Sequence, residues 1–210
     1  MKNYTAFLFL LLLLATTACQ EPKDACCVKP ATAGAAGTKS AFDPATVSDI
    51  SLYNLESDWQ DQTGKERQLS QFGGKIQLVS MIYTSCGYAC PRLVADLKRI
   101  ENSLIEFKRE DVGIMLVTMD PARDTPENLQ KFARDNKLDP SRWTLLTSSQ
   151  DNIRELAALL NMKYKTELDG EISHSNIISV LNPNGEIIHQ QEGLGVDPDE
   201  TVKSIKGQLL

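Results

Sequence analysis

Two thiols four residues apart, Cys86 and Cys90, lie in the run Met81-Ile82-Tyr83-Thr84-Ser85-Cys86-Gly87-Tyr88-Ala89-Cys90-Pro91, where an apolar strand-like stretch gives way to a helical pattern. At such a junction both sulfurs share one exposed helix end, whose unpaired backbone N–H groups favour thiolate over thiol. The chemistry that follows is a soft metal or a disulfide. Cysteines that only fill a core sit in apolar surroundings, whereas these are flanked by Ser, Thr, Gly and Pro.

The elements that must position these thiols can be read from the apolar pattern beyond Thr46. Ile76 to Tyr83 and Ile114 to Met119 are continuous apolar runs of strand length, suited to strands buried on both faces. Between them Leu93, Leu97, Ile100, Leu104 and Phe107 mark one stripe of a helix. Thr125, Pro126 and Glu127 read as the cap and first turn of a second helix carrying Leu129, Phe132 and Ala133. Ile153, Leu156, Ala157 and Leu160 mark a third, and Val202, Ile205 and Leu209 a terminal one. Ile177 to Leu181 and Glu186 to Gln190 flank Asn182-Pro183-Asn184-Gly185, a hairpin signal. A βαβ unit followed by a ββα unit is the thioredoxin arrangement. The expectation is therefore an α/β, thioredoxin-like fold, a central mixed sheet flanked by helices, with extra N-terminal strands and the dithiol opening the first long helix.

Spacing then separates redox from metal chemistry. Thioredoxins carry C-x-x-C and a proline opening the strand that faces it; this chain has C-x-x-x-C, and the corresponding stretch, Gly170 to Asn176, has a histidine and no proline. His174 is one of two histidines in the chain. It is expected to reach the dithiol from a loop packed against the same helix end. Two thiolates and an imidazole suit copper and would also suit zinc. His189, in a hairpin strand, is read as a surface residue.

The N-terminal residues indicate where this chemistry takes place. Lys2 supplies a short positive segment, Ala6 to Ala15 an apolar core too short to span a bilayer comfortably, and Thr16-Thr17-Ala18 small residues before Cys19. Residues 1–18 are read as an export signal, with Cys19 the lipidated first residue of a mature lipoprotein; stable anchoring takes more than one acyl chain. Residues 19–45, almost devoid of large apolar side chains, are expected to form a lipid-anchored flexible linker, and 46–210 a single domain. The linker holds a vicinal pair, Cys26-Cys27, read as exposed thiols or a further metal or redox station. A formal charge of −6 makes the chain a poor nucleic-acid binder.

Four separated motifs carry a family resemblance: Tyr83-Thr84-Ser85-Cys86-x-x-x-Cys90-Pro91, Val117-Thr118-Met119-Asp120-Pro121-x-Arg123-Asp124-Thr125-Pro126, Ser173-His174-Ser175-Asn176 and Leu181-Asn182-Pro183-Asn184-Gly185. Together, over roughly residues 50 to 207, the chain resembles the Sco/SenC family of copper-binding assembly proteins for cytochrome c oxidase. The resemblance implies a thioredoxin-like fold, copper held by Cys86, Cys90 and His174, and Asp120 close to the site. Asp120 is read as a partner of the ligands or a weak oxygen ligand, and Asp124 as charge compensation at a helix start. Two departures stand out. Gly87-Tyr88 replace the proline that often follows the first cysteine, and Ser173 replaces an acid that could orient the imidazole.

The implied role is that of a metallochaperone in the bacterial envelope, facing the periplasm and anchored to the membrane by lipid. Its implied partners are the copper-bearing subunit of cytochrome c oxidase or another periplasmic cuproenzyme, and other copper carriers, with copper as Cu(I) or Cu(II). The alternative is a periplasmic thiol-disulfide reductase or redox sensor acting through Cys86 and Cys90, which is the only enzymatic role the residues suggest. A peroxiredoxin is disfavoured because Tyr83, not threonine, stands three residues before Cys86.

Overall fold

The computed structural model describes residues 42–168 and 170–209. The export signal, Cys19, Cys26-Cys27 and most of the expected linker lie outside the described residues. The two apolar runs form the centre of a seven-stranded mixed sheet. They are β3 (Ile76–Ile82) and β4 (Val112–Thr118), every residue of both buried and the two paired in parallel from Ile76↔Val112 to Ile82↔Thr118. Burial on both faces is what a continuous apolar run requires. With β1 (Trp59–Asp61), β2 (Glu66–Arg67), β5 (Trp143–Thr147), β8 (Ile177–Leu181) and β9 (Ile187–Glu192), the order is β2-β1-β5-β4-β3-β8-β9. β5 runs parallel to β4, while β8 is antiparallel to β3 and β1 to β5. The sheet is thus the thioredoxin-like one expected, and β1 and β2 supply the N-terminal strands.

The helices follow from their apolar spacing and their caps. In α1 (Ala89–Asn102) the buried face is Cys90, Leu93, Val94, Asp96, Leu97 and Ile100. The helix ends before the last two residues of its expected stripe; Leu104 is nevertheless fully buried from the following turn, and Phe107 partly. α2 (Pro126–Asp135) is capped by Thr125, whose hydroxyl accepts the Asn128 N–H, with Pro126 in the first turn where its missing N–H has no consequence. α3 (Gln150–Leu159) is capped in the same way by Ser149, and α4 (Asp199–Leu209) buries Thr201 and Ile205.

Two polar residues in β3 are matched to their surroundings. Gln77 donates to the Phe72 carbonyl at 2.9 Å and occupies the space where a Cβ at Gly113 would stand, 2.4 Å from its Oε1; Ser80 donates to the Ile177 carbonyl at 2.6 Å. The turn after β8 needs glycine at 185, where φ is +82° and a Cβ would meet the Tyr53 ring at 2.6 Å. That turn receives the N-terminal segment, with Leu52 N–H bonded to the Gly185 carbonyl at 3.0 Å. Phe42, assigned to the linker from sequence, packs edge-on against Tyr53 with ring centroids 5.5 Å apart and lies over Gly73. Packing therefore begins before Thr46. His189, read as a surface residue, is half-buried with Nε2 3.0 Å from the Thr201 hydroxyl, which in turn donates to Gln191.

Because β3, β4 and β5 are parallel, the segments that follow their C-terminal ends gather at one edge of the sheet, where open α/β sheets place ligands. The loop Tyr83–Tyr88 follows β3 and the loop Met119–Thr125 follows β4. A separate two-stranded sheet, β6 (Tyr164–Thr166) and β7 (Ile172–His174), carries the third candidate donor. No helix among the described residues is long and apolar enough to cross a membrane.

Candidate metal centre

The loop after β3 turns at once, with Cys86 N–H bonded to the Tyr83 carbonyl at 3.2 Å. At the start of α1 the cap residue, Tyr88, makes no side-chain capping bond; its side chain is exposed, with the Arg92 guanidinium 4.3 Å from the ring centroid. The Cys86 sulfur takes over that task and accepts the Cys90 N–H at 3.3 Å. Burial works against a charged Cys86, but the backbone N–H groups of Cys90 and Tyr88 and the side chains of Cys90 and Tyr83 outweigh it, and the thiol is more acidic than usual. Cys90 goes the other way. It is fully buried, and burial first, then the neighbouring Cys86 and the Asp124 charge, push its thiol up. The helix end thus favours one thiolate, not two.

His174 ends β7, opposite Tyr164 in the register, and so is a strand residue and not the loop residue expected. Its Nδ1 is 2.9 Å from the Ser175 carbonyl. In the tautomer where Nδ1–H donates there, Nε2 keeps its lone pair for a metal. The orienting group that an acid at position 173 would have provided is therefore present as a backbone carbonyl. The ring also stands edge-on to Tyr83, centroids 5.9 Å apart and planes at 84°.

One donor atom from each of Cys86, Cys90 and His174 lies within 4.8 Å of the other two. A first-row ion takes sulfur at about 2.3 Å and imidazole nitrogen at about 2.0–2.1 Å, so two donors on one ion are at most roughly 4.6 Å apart. Shifts of a few tenths of an ångström close the three on a single ion. Cys86, Tyr88, Glu171, Ser173 and His174 line a shallow cavity of about 360 Å³ over this group.

Asp120 is not brought into that group. It is buried, with its carboxylate paired to the Arg123 guanidinium and its own N–H donated to the Thr118 hydroxyl at 2.9 Å. Its place three residues before an arginine, on one tight turn, gives its carboxylate a guanidinium partner. Asp124 corrects its sequence reading outright. It is completely buried, accepts Thr84 N–H at 3.0 Å and the Thr84 hydroxyl, and accepts the Thr118 hydroxyl at 2.5 Å. Its partner is the cysteine loop, not the helix start. The sequence reading also passed over Tyr83 and Glu171, whose side chains bond at 2.8 Å beside Cys86; an acid three residues before the candidate histidine was the available signal.

The SCO1/SenC family model matches residues 52–209, from the N-terminal segment to the last helix. The chain belongs to the SCO1/SenC family. It is 28% identical over 152 residues to the SCO1 protein homolog of Bacillus subtilis, covering 70% of this chain and 78% of that protein. The solved structure of BsSco, a member of the Sco family of cytochrome c oxidase assembly proteins in which a disulfide switch has been identified, superposes with a TM-score of 0.64 at 27% identity, covering 74% of this chain and 93% of that one. The copper-bound structure of Arabidopsis thaliana ScoI shares the fold, with a TM-score of 0.64 at 21% identity over 72% and 96% of the two chains. The SCO1/SenC match takes in both cysteines and His174.

Proposed function

We propose that this SCO1/SenC protein is a copper-binding metallochaperone that holds copper through Cys86, Cys90 and His174 and helps assemble the copper centre of cytochrome c oxidase or a related cuproenzyme. The observation that carries the reading is the convergence of two cysteine sulfurs and one imidazole nitrogen within 4.8 Å. Two sulfurs and a nitrogen, with no fourth protein donor grouped with them among the described residues, fit copper better than a closed four-ligand zinc site. Membership of a family that includes cytochrome c oxidase assembly proteins supports the direction of transfer.

Each ligand contributes differently. Cys86 is poised to bind as thiolate because backbone N–H groups already stabilise its charge, whereas Cys90 gives up its proton when the metal arrives. Copper uptake therefore releases a proton and strengthens as pH rises. His174 offers Nε2 from the rim of the cavity, and exchange of that ligand for an acceptor's donor opens a route for transfer. An export signal at residues 1–18 would send the domain to the envelope, and a lipidated Cys19 would hold it at the membrane, facing periplasmic acceptors.

One observation favours a second reading, a thiol-disulfide reductase or redox sensor: an acidic, cavity-lining Cys86 beside a buried, less acidic Cys90 is the asymmetry of an attacking and a resolving thiol. Copper titration of the wild type and His174→Ala separates the two. Two thiolates suffice for Cu(I), while Cu(II) prefers more ligands in a tetragonal arrangement. The variant should keep most of its Cu(I) affinity, lose more than roughly 100-fold in Cu(II) affinity, and lose the thiolate-to-copper absorbance. An unchanged Cu(II) titration together with intact disulfide-reductase activity would overturn the chaperone reading.

A further inference from the structure

The hairpin of β6 and β7 that carries His174 forms no ladder with the main sheet. A two-stranded hairpin alone is marginal in water, so its docking rests on side chains. Ile172 is buried beneath it, Gln150 donates to the Tyr164 hydroxyl at 2.8 Å, and Arg123 donates to the Gly170 carbonyl at 2.9 Å. The remaining tie is different in kind. Tyr83, itself 4% exposed on the cysteine side, donates its hydroxyl to Glu171 at 2.8 Å while its ring meets His174 edge-on. The same residue lines the cavity beside Cys86. A phenol has one proton to donate, and here it goes to Glu171, so one side chain lies beside the first donor, packs on the third donor's ring and ties down the strand that carries it.

We infer that Tyr83 and Glu171 are positioning residues for the metal centre: their hydrogen bond locks the His174 hairpin against the Cys86 loop and so decides whether the site presents three donors or two. The inference rests on the copper reading above for its metal consequences, but not for its effect on the hairpin. With the lock intact, His174 is pre-organised beside the thiolates. Without it both sulfurs remain in place while the imidazole must be ordered by the metal itself, which penalises Cu(II), the state that needs the nitrogen, far more than Cu(I).

The test uses the whole chain with Tyr83→Phe, which keeps the ring and removes the hydroxyl, Glu171→Ala, and the two combined. In the metal-free protein, amide exchange of residues 164–174 should speed up by about tenfold in each variant, the effect of losing one hydrogen bond to a charged group. Cu(II) affinity should fall by roughly tenfold, with a shifted thiolate-to-copper band, while the Cu(I) affinity of Glu171→Ala, which leaves the Tyr83 hydroxyl beside Cys86, changes by less than about threefold. The losses in the double variant should fall short of the product of the two single losses, since the singles share the Tyr83–Glu171 bond. Unchanged exchange in Tyr83→Phe, or losses that multiply in the double variant, would overturn the lock. If the wild type binds no copper, or binds it without His174, the chaperone reading fails, and the metal-free exchange data still decide the lock.

Discussion

Asp124 gives the sharpest test of how the cysteine loop is held. Its carboxylate is fully buried and receives Thr84 N–H, the Thr84 hydroxyl and the Thr118 hydroxyl. In Asp124→Ala the two hydroxyls can rotate towards other acceptors, but the Thr84 N–H is fixed by the backbone and left unpaired. Hydrogen bonds to a charged group contribute about 1.5–3 kcal/mol each, and an orphaned buried donor costs about 1–3 kcal/mol. The expected loss is about 3–5 kcal/mol, in line with breaking other buried charged networks. For a domain of this size that lowers the melting temperature by roughly 6–20 °C. Asp124→Asn keeps one carbonyl oxygen for the Thr84 N–H and should lose only about 1–2 kcal/mol. The same charge helps hold the Cys90 thiol up, so both variants should make Cys90 more acidic even as they loosen the fold. Urea unfolding measures the first effect and thiolate absorbance against pH the second. An Asp124→Ala protein within about 1 kcal/mol of wild type, or an Asp124→Asn protein whose Cys90 titrates no lower, would refute the reasoning.

Stability of the metal-free protein should decline at alkaline pH because of Cys90. Its folded pKa is raised, so above about 8.5, where the unfolded chain's thiol ionises, the native state binds more protons and stability falls as pH rises. Between pH 7.5 and 9.5 the decline from this group is about 1 kcal/mol, and urea unfolding of Cys90→Ala should lack it; an identical slope in that variant would count against the buried thiol. Cys86, with its lowered folded pKa, acts in the opposite sense, its contribution present above its unfolded value and lost as pH falls through the folded one. A shortened chain beginning at Thr46 should retain one copper per molecule yet unfold about 1–2 kcal/mol more easily than one beginning at Phe42, because the Phe42 ring covers Tyr53 and Gly73; equal stability would show that this packing contributes nothing.

The contrast between Cys86 and Asp124 explains what the sequence could and could not reveal. Cysteine and histidine are scarce in this chain and have few structural uses, so their spacing against a strand-to-helix junction and a candidate strand already grouped the three donors. Aspartate is common and has many uses. Asp124 sits before Thr125-Pro126, where a helix-start charge is the local explanation, and nothing nearby points to Thr84, forty residues away. The same limit hid parts of the framework. Trp143–Thr147, Trp-Thr-Leu-Leu-Thr, is too short and too irregular in its apolar pattern to separate a strand from a buried helical turn, and only its pairing with β4 and β1 decides it. Ile172-Ser173-His174 is too short to show a period of two, so His174 read as a loop residue although its register opposite Tyr164 fixes where its ring stands. Local chemistry thus groups the three candidate donors, while the side chains and carbonyl around them, Asp124, Tyr83, Glu171 and the Ser175 carbonyl, come from three different segments. Substitutions at Asp124, Tyr83 or Glu171 would therefore alter the surroundings of the three donors without removing any of them, whereas the Ser175 carbonyl, being backbone, survives any side-chain change.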